Sequence, residues 1–149
     1  KYFDQILAAF ITTYSPAYFT RIGLRYLNFI SRKDLDLLDV QFKELIEPYY
    51  LGPLAEDDVP EKSATQCTVD TQLQLRNCTL KLHAGPGMVK QNGVDDGEVR
   101  FIFDQDLFMP GQVPVNLSAG ALQTLHAQAW SIFRDAITDE LHDAMEPMD

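Results

Sequence analysis

The chain has 149 residues, 46% of them hydrophobic, and 22 acidic residues against 12 basic ones give a formal charge of -10. That length and composition fit one globular domain with its own core and exclude a disordered chain. The negative field repels phosphate backbones and anionic lipid, so neither non-specific nucleic-acid binding nor membrane association is expected.

Phe3, Ile6, Leu7, Phe10, Ile11 and Tyr14 recur at helical spacing, which predicts a first helix to about Tyr14, stopping before Pro16. Helical periodicity begins at once and no initiator methionine precedes it, so the chain reads as the C-terminal part of a longer protein, folded as a single domain over residues 1–149. Ile22, Leu24, Tyr26, Asn28 and Ile30 then alternate with their neighbours as a strand. Asp34 is placed to cap a second helix whose buried stripe is Leu35, Leu38, Phe42, Leu45 and Ile46, ended by Pro48. Residues 47–63 are rich in acid, proline and glycine and read as a surface loop anchored by Tyr49, Tyr50 and Leu51.

Two alternating runs, from Cys67 to Leu75 and from Cys78 to Leu82, are separated by Arg76 and Asn77, which predicts a tight hairpin. In that register Leu73 faces Leu80 on the apolar side and Asp70 faces His83 on the polar side. The two cysteines are then too far apart to bridge, and free thiols place the chain in the cytoplasm. Gly85-Pro86-Gly87, Asn92-Gly93 and Asp96-Gly97 bracket a loop ahead of a central strand at residues 99–103, and a proline-containing loop over residues 104–114 leads to Ser118. Ser118 caps the longest helix, with Leu122, Leu125, Ala129, Ile132, Phe133, Ala136, Ile137, Leu141 and Met145 on one side. This order predicts an α+β fold: an antiparallel sheet of about four strands packed against helices, with the long C-terminal helix as the main packing element.

Arg21-Ile22-Gly23-Leu24-Arg25-Tyr26-Leu27-Asn28, together with Leu125-His126, Phe133 and Ile137-Thr138-Asp139-Glu140-Leu141, resembles the C-terminal part of a sporadically distributed bacterial family of hypothetical proteins. Those proteins share an R-I-G-L-R-Y-x-N strand and a closing I-T-D helix. The resemblance implies a bacterial origin and further residues on the N-terminal side, and it implies no activity.

Arg21 and Arg25 share one face of a strand with Gly23 between them, an arrangement that suits a carboxylate or phosphate. The competing expectation is structural: both guanidiniums pair with acid from the final helix, above all Glu140 or Asp139. Glu140 falls within that helix's apolar stripe and calls for a partner. Asp104 and Asp106 lie two residues apart where a strand is expected to end, a way to hold a hard cation, but no further ligands are visible and no metal site is expected. His126 sits on the apolar side of the long helix and reads as a partly buried histidine bonded to backbone.

No complete catalytic constellation and no cofactor motif is present, so the leading expectation is a non-catalytic binding or protein-interaction module. Its partner would be a protein or a small anionic ligand, and self-association into a homo-oligomer is left open. A second expectation is a metal-assisted phosphoester hydrolase in which Asp104, Asp106 and His126 converge while Arg21 and Arg25 hold the phosphate. A third is a small-molecule-binding domain with an apolar cavity under the C-terminal helix.

Overall fold

Alternation along Tyr18–Ile30 produces a 13-residue strand, β1, and the 19-residue apolar period of Ser118–Ala136 produces the longest helix. A computed structural model describes residues 2–91 and 93–145. Its helices are α1 (Tyr2–Tyr14), α2 (Phe42–Leu45), α3 (Pro48–Leu51), α4 (Ser118–Ala136) and α5 (Asp139–Ala144). The other strands are β2 (Val69–Gln74), β3 (Thr79–Gln91) and β4 (Val94–Pro114), and all pairings are antiparallel in the order β1-β4-β3-β2.

Period-two alternation assigns each face of this sheet a different job. Phe101, Phe103 and Leu107 of β4, Leu80, Leu82 and Ala84 of β3, and Ile22 and Ile30 of β1 are all buried on one face. There α4 packs through Ala121, Leu125 and Ala129, and the two alanines let the helix lie close. Phe103 meets Phe133 edge to face at 5.6 Å, and buried Gln105 donates to the Ala129 carbonyl at 3.2 Å. Each such apolar side chain contributes roughly 1.5–3 kcal/mol when fully buried, so this layer dominates stability. The α+β class, the four-stranded antiparallel sheet and the packing role of the long helix all agree with the sequence.

The hairpin register agrees as well. Leu73 is opposite Leu80, Asp70 is opposite His83, and the Leu75 amide donates to the Cys78 carbonyl at 2.8 Å. Leu73 nevertheless stays 38% exposed, because it lies on β2, the edge strand of the sheet. Cys67 and Cys78 are free.

Four local expectations fail, each for a physical reason. The helix predicted from Asp34 is only α2; ahead of it Asp36 takes a φ of 58° and Arg32 donates to the Val40 carbonyl, closing a turn where helix was expected. Residues 47–63 contain α3 and 3₁₀ turns, with Leu51 and Leu54 as anchors while Tyr49 is exposed. Gly85-Pro86-Gly87 runs inside β3. A β-carbon at Gly85 would lie 2.3 Å from the Cys67 carbonyl oxygen and one at Gly87 2.7 Å from Ile102, so these glycines serve close approach. Pro86 is tolerated because β2 ends opposite Ala84, leaving that edge of β3 without a strand. Residues 104–114 are likewise strand, since β4 stays paired with β1 as far as Tyr18 opposite Pro114.

The long helix also stops earlier than its apolar stripe suggests. Ile137 leaves α4 to form a bridge with Ile46, and the Thr138 side chain then caps α5 by accepting from the Leu141 amide. Ser118 lies one position inside the helix, its hydroxyl bonded to the Val115 carbonyl. Among the described residues, no helix is long and apolar enough to cross a membrane.

Candidate functional site on the open sheet face

The face of the sheet turned away from α4 carries the chemistry. On β4 the residues that alternate with the buried ones are Ile102, Asp104, Asp106 and Phe108, none of them buried. Opposite them stand Phe29, Leu27, Arg25 and Gly23 of β1, and Lys81 and His83 of β3. Among the described residues, no helix covers them.

Charge is arranged here as a ladder of cross-strand pairs. Arg25 binds Asp104 with two bonds, Nε to Oδ1 at 2.8 Å and Nη2 to Oδ2 at 2.5 Å. Arg21 reaches Asp106 at 3.1 Å, although the residue directly opposite it is Pro110. Gly23 permits this reach: a β-carbon there would sit 3.3 Å from Arg21 Nη1 and 3.3 Å from the Leu107 carbonyl oxygen. The same guanidinium lies 4.4 Å above the Phe108 ring, adding a cation–π contact. Farther along, His83 Nδ1 is 2.7 Å from Asp70 Oδ1.

These contacts shape the electrostatics. The hydrogen bonds that Arg25 donates to Asp104, and the charge of that carboxylate, raise the Arg25 pKa above the usual arginine value, while the bond to His83 lowers the Asp70 carboxyl. Arg25, Lys81, His83, Asp70, Asp104 and Asp106 line an open depression of about 540 Å³. Beside it Leu27 and Phe29 are 49% and 44% exposed, an apolar shoulder next to a polar floor.

Several candidate residues end up elsewhere than expected. Arg21 and Arg25 do pair with acid, but the acid is Asp106 and Asp104 of the adjacent strand, and neither arginine meets Glu140 or Asp139. The break at Ile137 resets the helical wheel, so Glu140 turns outward and is exposed, while Asp139 receives a 2.6 Å bond from Arg134. Asp104 and Asp106 lie in mid-strand, already held by arginine, rather than at a strand end. His126 is exposed, because α4 buries the neighbouring row of Ala121, Leu125 and Ala129; its Nδ1 is 2.6 Å from the Tyr26 hydroxyl. Tyr26 belongs to the helix-covered face, so His126 and the two aspartates are on opposite sides of the sheet. One cleft cannot contain all three.

Among the described residues, no group of three or more His, Cys, Asp and Glu side chains converges in a way that could hold a metal ion. The space beneath α4 is occupied by Leu125, Phe133, Phe103, Leu107 and Gln105.

Two polar knots were not legible in the sequence. Arg32 pairs with Glu61 at 2.9 Å, stacks 4.0 Å over Phe42 and has a side chain only 16% exposed, while Glu61 also accepts the Phe42 amide at 2.7 Å. At the far end of the sheet Arg100 pairs with both Asp96 and Glu98, and Glu98 Oε1 accepts from the Ser31 hydroxyl at 2.8 Å. Glu98 Oε2 has no well-directed hydrogen bond and relies on Arg100 Nη2 2.8 Å away. Arg100 has its acids close in sequence, but Arg32–Glu61 and Ser31–Glu98 join partners 29 and 67 residues apart and leave no local spacing signal.

No family model, curated protein or solved structure matches the chain.

Proposed function

We propose that the chain is a non-catalytic binding module whose open sheet face holds a partner protein. The observation that supports this reading most is the one-sided covering of the sheet: helices occupy one face, and the other presents exposed Leu27 and Phe29 beside a polar depression. A small anion is a poorer fit than a protein surface, because Asp104 and Asp106 already occupy both arginines and an anion would have to displace a two-bond contact. A partner with an apolar centre and flanking charges of both signs complements what is exposed. Hydrolysis of a phosphoester loses its support, since its general base would stand across the sheet from its carboxylates. The free cysteines fit a reducing bacterial cytoplasm, in keeping with the resemblance of the Arg21–Asn28 strand and the closing helix.

Site-directed photo-crosslinking in a bacterial lysate tests this. A crosslinking side chain at Leu27 forms one discrete adduct with another protein, and the adduct disappears when Lys81→Glu and Phe29→Asp are added. The same crosslinker at Trp130, exposed on the helix side, forms none. Adducts of equal yield on both faces, or on the helix side alone, contradict the proposal.

A further inference from the structure

The first 30 residues differ in kind from everything that follows. They hold a single acidic residue, Asp4, with Lys1, Arg21 and Arg25, a net charge of +2; the other 21 acidic and nine basic residues follow, giving that remainder -12. Among the residues whose burial is described, seven of the 14 exposed large hydrophobic ones also lie between Tyr2 and Ile30. An acidic molecule thus has one apolar, acid-poor surface.

Helix α1 is the clearest part of it. Tyr2, Ile6, Phe10 and Tyr14 recur every four residues, so they form one stripe, and they are 84%, 70%, 42% and 71% exposed. Where side-chain burial is described, no residue of α1 is buried. A helix of 13 residues is marginal in water without tertiary packing. Here Phe19, stacked 6.5 Å from Phe10, supplies an aromatic contact from outside the helix.

That contact joins α1 to β1, which is equally unfinished. β1 is the outermost strand of the sheet, and among the described residues no backbone hydrogen bond from outside the sheet reaches it. Proteins normally blunt such an edge with charged side chains, proline, a bulge or a short strand; β1 has a bulge between Phe19 and Arg21 and its two arginines are held by Asp106 and Asp104, but from Ile22 to Ile30 it pairs regularly and holds neither lysine nor proline.

We infer that α1 and the free edge of β1 form the contact surface of a symmetric homodimer, with β1 of one copy running antiparallel to β1 of the other. Asp104 and Asp106 neutralise the two arginines, so an isologous contact places near-neutral surface against near-neutral surface and keeps the acidic remainders of the two copies apart, and charge favours a second copy over contact elsewhere on the molecule. The size is adequate. A strand of 13 residues is about 43 Å long and a helix of 13 about 20 Å; at a width of roughly 10 Å they offer about 600 Å² per copy, the lower end for a stable interface. A membrane surface is the poorer occupant, since an interfacial helix needs a basic polar face and α1 carries no arginine or histidine and, from Tyr2 on, no lysine.

Sedimentation equilibrium of the full chain reads this directly. The expected species has twice the 16.9 kDa chain mass. Ile6→Glu with Tyr14→Glu, at exposed positions, weakens dimerisation at least tenfold with unchanged β-sheet circular dichroism. Tyr18→Lys with Thr20→Lys does the same from the strand edge. A wild-type monomer up to its solubility limit overturns the inference, as does a dimer that persists in both variants. Binding of the monomer to neutral or anionic phosphatidylcholine–phosphatidylserine vesicles, with no dimer formed, assigns α1 to a lipid surface and overturns it equally.

Discussion

On β4, Phe101, Phe103, Gln105 and Leu107 are at most 2% exposed, whereas Ile102, Asp104, Asp106 and Phe108, interleaved with them, all retain solvent contact. Chain position, strand and neighbours are nearly identical for the two sets; only the side of the pleat differs. Burial therefore selects apolar residues on one side, with Gln105 tolerated through its bond to the Ala129 carbonyl, and leaves the other free to carry paired charges. Stability belongs to the first set, and the second is the face proposed above for recognition.

The largest effect that separates them is expected at Phe103. Phe103→Ala removes a ring in contact with Phe133 and Tyr50 from a fully buried site and costs about 4 kcal/mol in chemical denaturation. Ile102→Ala, one residue along and half-exposed, costs well under half as much. Equal losses at the two positions would erase the distinction between the faces.

A similar contrast holds among the ion pairs. Arg32 is shielded, stacked on Phe42 and paired with Glu61, so Arg32→Ala leaves Glu61 without its cation in a partly dry setting and costs on the order of 3 kcal/mol. The Arg25 side chain is 64% exposed, and its removal changes the melting temperature only slightly. A larger loss at Arg25 than at Arg32 would show that the open-face ladder is architectural after all.

Acid sharpens the comparison more weakly. The hydrogen bond from Arg100 and, after it, the Glu98 amide hold the Asp96 carboxyl down at about 2. A carboxyl lowered on folding adds stability that is complete above its unfolded pKa, near 4, and is lost as pH falls through its folded value. Melting temperature should therefore decline between pH 4 and pH 2, and Asp96→Asn should flatten that decline. Asp70, Asp57 and Asp139, lowered by His83, Lys43 and Arg134, act in the same direction. A pH profile identical in wild type and Asp96→Asn would remove the Arg100 knot from the account.

Much of this fold was legible because its signals are local. Alternation in Tyr18–Ile30 and the two-residue turn at Arg76-Asn77 determine strand, face and register within a few residues. Signals that depend on distant partners were misread. Gly85 and Gly87 look like turn residues until the Cys67 backbone and Ile102 are seen against them, and Asp104 looks like a strand end until β1 is laid alongside. Arg21 and Arg25 were recognisable as a pair with acidic partners, but charge excess alone did not say which acids. The helical wheel put Glu140 inside because nothing in the spacing shows that Ile137 pairs with Ile46 and interrupts the helix.

The proposed division of the sheet into a structural and a recognition face is tested most directly by stripping the open face in one variant, Arg25→Ala with Leu27→Thr and Phe29→Thr, and measuring its thermal midpoint. Threonine keeps the strand preference, and surface changes of this kind each alter stability by about 0.5 kcal/mol or less. The midpoint should stay within about 5 °C of wild type. A fall as large as that of Phe103→Ala would contradict the account, because the face assigned to recognition would then be holding the fold together.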